Sequence, residues 1–420
     1  MSSNLPCIII GGSHAGGQLA LSLRQEGWTD DIIVISNEAY YPYQRPPLSK
    51  ALLAGKLEPH QILIRPQALY EKQNISFLFN TSVEKINRQN KRLELDNGNS
   101  IDYQKLALCT GARARKLEIC GAELSGIHYL RSLDDVEHIK ADLNNQLKPQ
   151  AKPSSIVIVG GGYIGLEAAA SFTQLGHKVT VVEAANRVLQ RVTAPEVSNF
   201  FTRLHESYGV SIIENKQVAE FLKQTESEIN RVHQVLFSDG TVLPADIVIV
   251  GIGVRPNVEL AEQSGLEVKN GICVNEFAQT SDDNIVAAGD CTLHPNTMYQ
   301  TSIRLESVPN AMEQAKSAAA MICGKQKKYD ALPWFWSDQY DVKLQIAGLN
   351  QGYDQTIIRG DSVNTKSFVV WYLKNNQVIA ADCINRPREF MFAKRLITQK
   401  ILANIAQLSD DTFDLSSLFS

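Results

Sequence analysis

At 420 residues the chain is longer than one ordinary core can serve, so two or three domains are expected. A formal net charge of −4 gives no general attraction to nucleic acid or anionic membrane, and no apolar run is long enough to span a bilayer. Seven cysteines, Cys7, Cys109, Cys120, Cys273, Cys291, Cys323 and Cys383, show neither a C-x-x-C pair nor metal-ligand spacing; they read as reduced, mostly buried thiols without a metal, in a cytoplasmic setting.

The first element is CIIIGGSHAGGQLALSLRQEG (7–27): a β-branched strand, a glycine turn and a small-residue helix, with a second strand, IIVIS, at 32–36. Such a βαβ start can cradle a pyrophosphate on the helix N-terminus. Gly11 makes the tight turn and Gly16 lets helix and strand approach. The middle position carries Ser13 instead of glycine, a modest cost if its φ stays negative. His14 and Ala15 complete the loop, and His14 reads as a loop residue, not an acid or base. The acid expected at the end of the second strand is displaced: Ser36 holds its slot and Glu38 follows. By itself, this loop has a packing turn of small residues as its lesser alternative. Since residues 1–6 hold no Lys or Arg, no secretory signal is expected.

LALCTGARA (106–114) is a buried strand ending in Thr110-Gly111-Ala112. A polar lead-in, LNNQLKPQAKPSS (143–155), precedes SIVIVGGGYIGLEAAASFTQLG (155–176), which repeats the opening unit. Here Gly160, Gly162 and Gly165 complete G-x-G-x-x-G, Tyr163 and Ile164 open the helix, and VTVVE places Glu183 to hydrogen-bond a ribose. ADIVIVGIGVRPN (245–257) is a further buried strand with a glycine turn at Gly253. In TSDDNIVAAGDC (280–291), Asp290 can accept hydrogen bonds from a polyol chain. GKQKKYDALP (324–333) marks a boundary. FVVWYLKNNQVIAADC (368–383) reads as a hairpin turning at Asn375-Asn376, REFMFAKRLITQKI (388–401) as a helix, and the acidic tail LSDDTFDLSSLFS as a fraying end.

The order of glycine loop, Thr-Gly-Ala, second glycine loop, Gly-x-Gly-x-x-Pro-Asn and Gly-Asp resembles flavoprotein reductases that bind two dinucleotides. PYQRPPLSK (42–50), GGGYIGLEAAA (160–170), RVTAP (191–195), ESVPNAMEQA (306–315) and PWFWSDQY (333–340) are similar, more narrowly, to the ferredoxin reductases of the putidaredoxin reductase type, over nearly the whole chain. The resemblance implies an α/β fold with two Rossmann-like, glutathione reductase-like domains for FAD and NADH, plus a C-terminal α+β interface domain. Its boundaries would be FAD domain 1–114 and 248–328, NADH domain 115–247 and C-terminal domain 329–420. The implied activity is hydride transfer from NADH to FAD, then single electrons to a [2Fe–2S] ferredoxin serving a cytochrome P450 or a ring-hydroxylating oxygenase.

Carried over by position, Gly11, Ser13, His14, Ala15 and Gly16 would hold the FAD pyrophosphate and Glu38 its adenosine ribose. Arg45, Lys50, Val83, Thr110, Gly111, Arg131, Asp290 and Val308 would complete the FAD site. Gly160, Gly162, Tyr163, Ile164, Gly165, Glu183, Arg191 and Gly253 would line the NADH side. Glu183 is followed by Ala184-Ala185, with no adjacent base for a 2′-phosphate, which favours NADH over NADPH; Arg187 is the nearby exception. Lys50 and Glu167 resemble the family's ion pair on the nicotinamide side of the flavin, where paired, desolvated charges would tune the ring. Trp336 either reaches the flavin or acceptor surface or packs in the core. Lys316, Lys325, Lys327 and Lys328 form a candidate docking patch for an acidic ferredoxin. Rubredoxin remains an alternative acceptor, and a redox signalling protein resembling apoptosis-inducing factors an alternative class; dithiol reductases and peroxidases are excluded by the missing cysteines.

Overall fold

The computed structural model describes residues 5–146, 153–224 and 230–419, and these divide into two compact units. Part of the polar lead-in, 147–152, lies outside the described residues.

The first unit comprises the residues up to Gln44, His60–Arg113 and Arg255–Pro333. At its centre five parallel strands lie in the order Ile285–Ala287, Lys105–Leu108, Cys7–Ile10, Ile32–Ile35, Ile75–Leu78. Uninterrupted apolar runs suit strands covered on both faces, and the alternation shows how. Cys7, Ile9, Val34 and Ala107 enter one core, Ile8, Ile10, Ile35 and Leu106 the other. Helices His14–Glu26 and Val308–Ile322 close the first face, packing closely through Ala15, Ala311, Ala315 and Ala319. The second face is covered in part by a three-stranded antiparallel sheet, Val83–Asn87, Arg92–Leu95 and Ser100–Asp102, through Val83, Ile86, Leu93 and Leu95.

The second unit comprises Arg45–Pro59, Ala114–Val254 and the chain from Trp334 onward. It holds a second parallel sheet, ordered Ser211–Ile213, Lys178–Val182, Ser155–Val159, Ile247–Val250, Ile127–Tyr129. Read from the opposite end, the layout is that of the first sheet. The fifth strand is the exception: it precedes the glycine loop here (Ile127–Tyr129) and comes last in the first unit (Ile285–Ala287). Because Ile247–Val250 pairs with Ile156–Val159, this sheet runs past the expected return at 248, and the division falls after Val254.

The C-terminal segment forms an antiparallel sheet in the order Trp334–Gln339, Val342–Gly348, Gln377–Ile384, Phe368–Lys374, Gln355–Gly360, backed by helix Pro387–Gln399. The expected hairpin turns at Asn375 and Asn376, whose φ of 50° and 62° suit an Asn-Asn turn. The tail does not fray as expected. Arg359, 4% exposed, donates to the carbonyls of Asp410 (2.5 Å) and Phe413 (2.8 Å), while Leu408 and Leu415 are buried. No helix among the described residues is long and apolar enough to cross a membrane.

Candidate functional site

In the first unit the chain turns at Gly11 with φ +110°, and the helix starts at His14. A methyl on Gly16 would stand 1.9 Å from the Gly11 carbonyl oxygen, so the loop is as close to the helix as glycine permits. Ser13 caps this helix in extended backbone, φ −110°, the negative φ a side chain needs. As in every helix, the first-turn N–H groups lack intrahelical acceptors and make an anion seat. Next to it, Gly289 turns with φ +93°, its Cβ position 3.1 Å from Ala15 Cβ, which brings the Gly289-Asp290 turn to the start of this helix. Gln314 accepts from Gly289 N–H at 2.8 Å and tethers that turn to the helix that Val308 begins.

The other residues expected in the first unit fall into different settings. Thr110 donates its hydroxyl to the Asn257 carbonyl (2.6 Å), and the Asn257 side chain donates back to Thr110 (2.8 Å). Asn257 N–H also reaches the Gly111 carbonyl at 2.9 Å. Thr-Gly-Ala and Pro-Asn therefore clasp one another and fix two strand ends. Glu38 accepts a hydrogen bond from Tyr43. The Val83 side chain belongs to the core, so a ligand contact there would come from its backbone.

In the second unit Gly160 turns with φ +111°, and a methyl on Gly165 would lie 2.0 Å from the Gly160 carbonyl oxygen. Gly162 is extended, with φ −79°, and nothing lies within 4 Å of its Cβ position. The chain leaves this space open without needing it, as a pyrophosphate cradle requires. Ile164, on the first turn, stays 44% exposed. Glu183 accepts from Gly161 N–H (2.6 Å) and Ala185 N–H (2.8 Å), which orients its carboxylate at the loop. Arg187, the base that follows Glu183 in sequence, is engaged by Ser198 (2.5 Å) and the Gln190 carbonyl (3.1 Å). Arg191 nitrogens come within 3.6 Å of the Gly253 Cβ position, so these two share the loop's surroundings. Both loops thus fit dinucleotides.

Lys50 and Glu167 do meet. Lys50 Nζ is 2.8 Å from Glu167 Oε1, with the side chains 17% and 2% exposed. Two hydroxyls not singled out from the sequence complete the carboxylate's shell: Ser49 donates to Oε2 (2.5 Å) and Ser337 to Oε1 (2.6 Å). Ser171 on the Glu167 helix donates to the Ser49 carbonyl at 2.8 Å, fixing the Pro-Pro-Leu-Ser-Lys segment against that helix. A carboxylate this deeply buried is tolerable only with such a full set of donors. Arg45 donates to the Arg131 carbonyl at 2.6 Å, so these two are also brought together.

Tyr163, which opens the second loop helix, has a buried phenol with no hydrogen-bond partner among the described residues. Burial, then the nearby Asp382 and Glu167, push its pKa well up. Asp382 accepts from the Tyr372 hydroxyl (2.5 Å), and burial raises its carboxyl to about 7. Tyr372 in turn accepts from Ala194 N–H, in Arg-Val-Thr-Ala-Pro, at 2.7 Å. In the sequence Asp382 shows only as part of a strand.

Trp336 is half-buried, with its ring 5.5 Å from that of Trp334. The lysine patch is largely neutralised: Lys316 pairs with Glu313 (2.6 Å), Lys325 with Glu26 (2.9 Å) and Lys328 with Glu276 (3.6 Å). All seven cysteines are free; Cys7, Cys109, Cys291 and Cys383 are buried, Cys273 and Cys323 intermediate and Cys120 exposed. No cluster among the described residues could hold a metal ion.

The family description "Pyridine nucleotide-disulphide oxidoreductase" matches residues 5–315, and "Reductase C-terminal" matches 334–419. The chain is 42% identical to putidaredoxin reductase CamA of Pseudomonas putida, covering 100% of this chain and 98% of that one. It is 41% identical to a ferredoxin–NAD(P)(+) reductase of Sphingomonas sp (94% and 93% covered) and 38% identical to a rubredoxin–NAD(+) reductase of Pseudomonas putida (91% and 96%). A crystal structure of the covalent putidaredoxin reductase–putidaredoxin complex matches with a TM-score of 0.94 and 42% identity, covering 100% of this chain and 99% of that one.

Proposed function

From the premise that the chain belongs to the pyridine nucleotide-disulphide oxidoreductase family, we propose that it is an NADH-dependent reductase of a [2Fe–2S] ferredoxin serving a cytochrome P450 or ring-hydroxylating oxygenase. It is an oxidoreductase of FAD and NADH. The observation that carries the acceptor assignment is the pairing of two dinucleotide loops, one of them with serine at its middle position, with seven unpaired cysteines. A family member without a redox cysteine pair has no disulfide for the flavin to reduce. The free thiols also support a reducing, cytoplasmic location.

When bound, FAD supplies the conversion of a two-electron hydride donor into single electrons, which suits an iron–sulfur acceptor. The chain's own residues bind and orient. The first-turn amides after Ser13 and Gly162 would each seat a pyrophosphate, Glu183 would accept from ribose hydroxyls, and exposed Ile164 would cover the nucleotide. With Arg187 engaged elsewhere, a 2′-phosphate would meet the Glu183 carboxylate, which disfavours NADPH. Lys50 and Glu167 would hold a fixed charge pair on the nicotinamide side and need exchange no proton.

The test is anaerobic titration of the yellow protein with NADH and with NADPH, then cytochrome c reduction with and without a [2Fe–2S] ferredoxin. Rapid bleaching by NADH and ferredoxin-dependent cytochrome reduction are expected. Cytochrome reduction that depends on rubredoxin instead would move the assignment to that acceptor, and bleaching by NADPH alone would overturn the coenzyme.

A further inference from the structure

Ser337 and Gln339 lie two apart on strand Trp334–Gln339, so their side chains leave the same face, opposite to Trp334 and Trp336. That face also carries Phe335, whose ring lies 4.6 Å from that of Tyr163. Behind Glu167 the structure contains a continuous run of hydrogen bonds, buried except at its Tyr340 end. Ser337 reaches Glu167 Oε1 (2.6 Å), and Gln339 Nε2 reaches Ser337 Oγ (3.2 Å). His205 Nε2 meets Gln339 Oε1 (2.8 Å), and Tyr340 meets His205 Nδ1 (3.2 Å). Ser337, Gln339, His205 and Glu167 are each at most 2% exposed.

Donor and acceptor capacity sets the direction of every bond. The carboxylate, paired with Lys50, only accepts, so the Ser337 hydroxyl donates to it and must accept from the Gln339 amide. The Gln339 carbonyl then faces His205 and requires a proton on Nε2. Burial lowers the His205 pKa to about 4, so the ring is neutral and its Nδ1 accepts from Tyr340. All four dipoles run head to tail onto one anion, the arrangement in which such bonds reinforce one another.

We propose that Ser337 is a positioning residue for the hydride step: the C-terminal strand, through Ser337, Gln339 and His205, aims the Glu167 carboxylate at Lys50. This rests on the reading of the Lys50–Glu167 pair given above. The sequence separates Ser337 from Glu167 by 170 positions, so the pair carries no local signature.

The test uses the holoenzyme. Ser337→Ala should slow the limiting rate of flavin reduction by NADH about tenfold, as small misplacements of positioned groups do, with apparent NADH affinity within about twofold and recovery in Ser337→Thr. A second readout needs no turnover. In protein with 15N-labelled histidine, the His205 ring, identified by its loss in His205→Gln, should show the Nε2–H tautomer, and Gln339→Leu should abolish that single tautomer. A His205 ring in the Nδ1–H form would overturn the relay. Wild-type flavin reduction in Ser337→Ala alongside slow reduction in Glu167→Gln would overturn the positioning role alone. Wild-type reduction in both would overturn the reading of the ion pair and the proposal with it.

Discussion

In the first loop a methyl on Gly16 would stand 1.9 Å from the Gly11 carbonyl oxygen; in the second, one on Gly165 would stand 2.0 Å from that of Gly160. The turns agree as well, with φ +110° at Gly11 and +111° at Gly160. Between these fixed points the loops part. Ser13 stands in the first and Gly162 in the second, both extended with negative φ, and among the described residues nothing comes within 4 Å of the Gly162 Cβ position. The outer glycines are therefore demanded by the chain itself, because strand and helix could not otherwise close. The middle one is a matter between the loop and its ligand. A serine there contradicts no folding requirement.

Alanine at the outer and middle positions should separate the two demands. Gly16→Ala and Gly165→Ala drive a methyl into backbone, and each should cost on the order of 3 kcal/mol, the upper range for overpacking. Loss of folded yield and a collapsed denaturation midpoint would report it. Gly162→Ala should leave stability within about 0.5 kcal/mol, since the φ is allowed and the space is open, while weakening NADH binding. Equal destabilisation by Gly162→Ala and Gly165→Ala would break the distinction.

The same division explains what the sequence could say. Features that the chain needs for itself were legible: both loops, the buried strands and the Asn375-Asn376 turn follow from residue types at short spacing. Glu183 was legible too, because its place is set by the loop it serves. Groups joined across long separations were not. Ser49 and Ser337 reach Glu167 from 118 and 170 positions away, and although they adjoin Lys50 and Trp336, nothing at short spacing shows that they converge on one carboxylate. The acidic partners of Lys325 and Lys328, Glu26 and Glu276, lie far off in the chain, so the sequence showed those two charges without their counterparts. The tail looked loose because the buried Arg359 that grips its carbonyls is about fifty residues away.

The second loop also has buried ionisable groups behind it, and pH should expose them. Asp382 ionises near 3.8 when unfolded and about 7 when folded, its raised value caused by burial. Between those values the folded chain holds a proton that the unfolded chain lacks. Stability contributed by this group therefore falls as pH rises from about 4 to 7 and levels off above. Asp382→Asn removes that slope, so from pH 5 to 8 wild type should lose on the order of 2 kcal/mol relative to the variant. Thermal melts of both proteins at the two pH values measure it. Parallel melting curves would mean that Asp382 stays ionised in the folded protein.

Exchanging the acid slots tests the ligand side. Glu183→Ser gives the second loop the residue found at Ser36 in the first, and removes the acceptor of Gly161 and Ala185 N–H. Losing charge-assisted hydrogen bonds to a ribose should weaken NADH about tenfold and narrow its advantage over NADPH. Saturation of flavin reduction with each coenzyme reads this directly. An unchanged NADH dependence would make Glu183 a support for the loop and nothing more.

The smallest effect is expected where the sequences differ most visibly. Ser13→Gly turns the first loop into a full G-x-G-x-x-G. Two small terms oppose each other. Glycine at a helix N-cap costs only a few tenths of a kcal/mol relative to serine, while a pyrophosphate seated there as proposed would be less crowded without the side chain. Because Ser13 already has a negative φ, no backbone strain is released. The variant should therefore melt within about 0.5 kcal/mol of wild type and keep its flavin equally well through dialysis. A clear gain in flavin retention would show the serine to be a cost carried by the ligand. A clear loss would show that its hydroxyl holds the phosphate, making the middle position of this loop a contact in its own right.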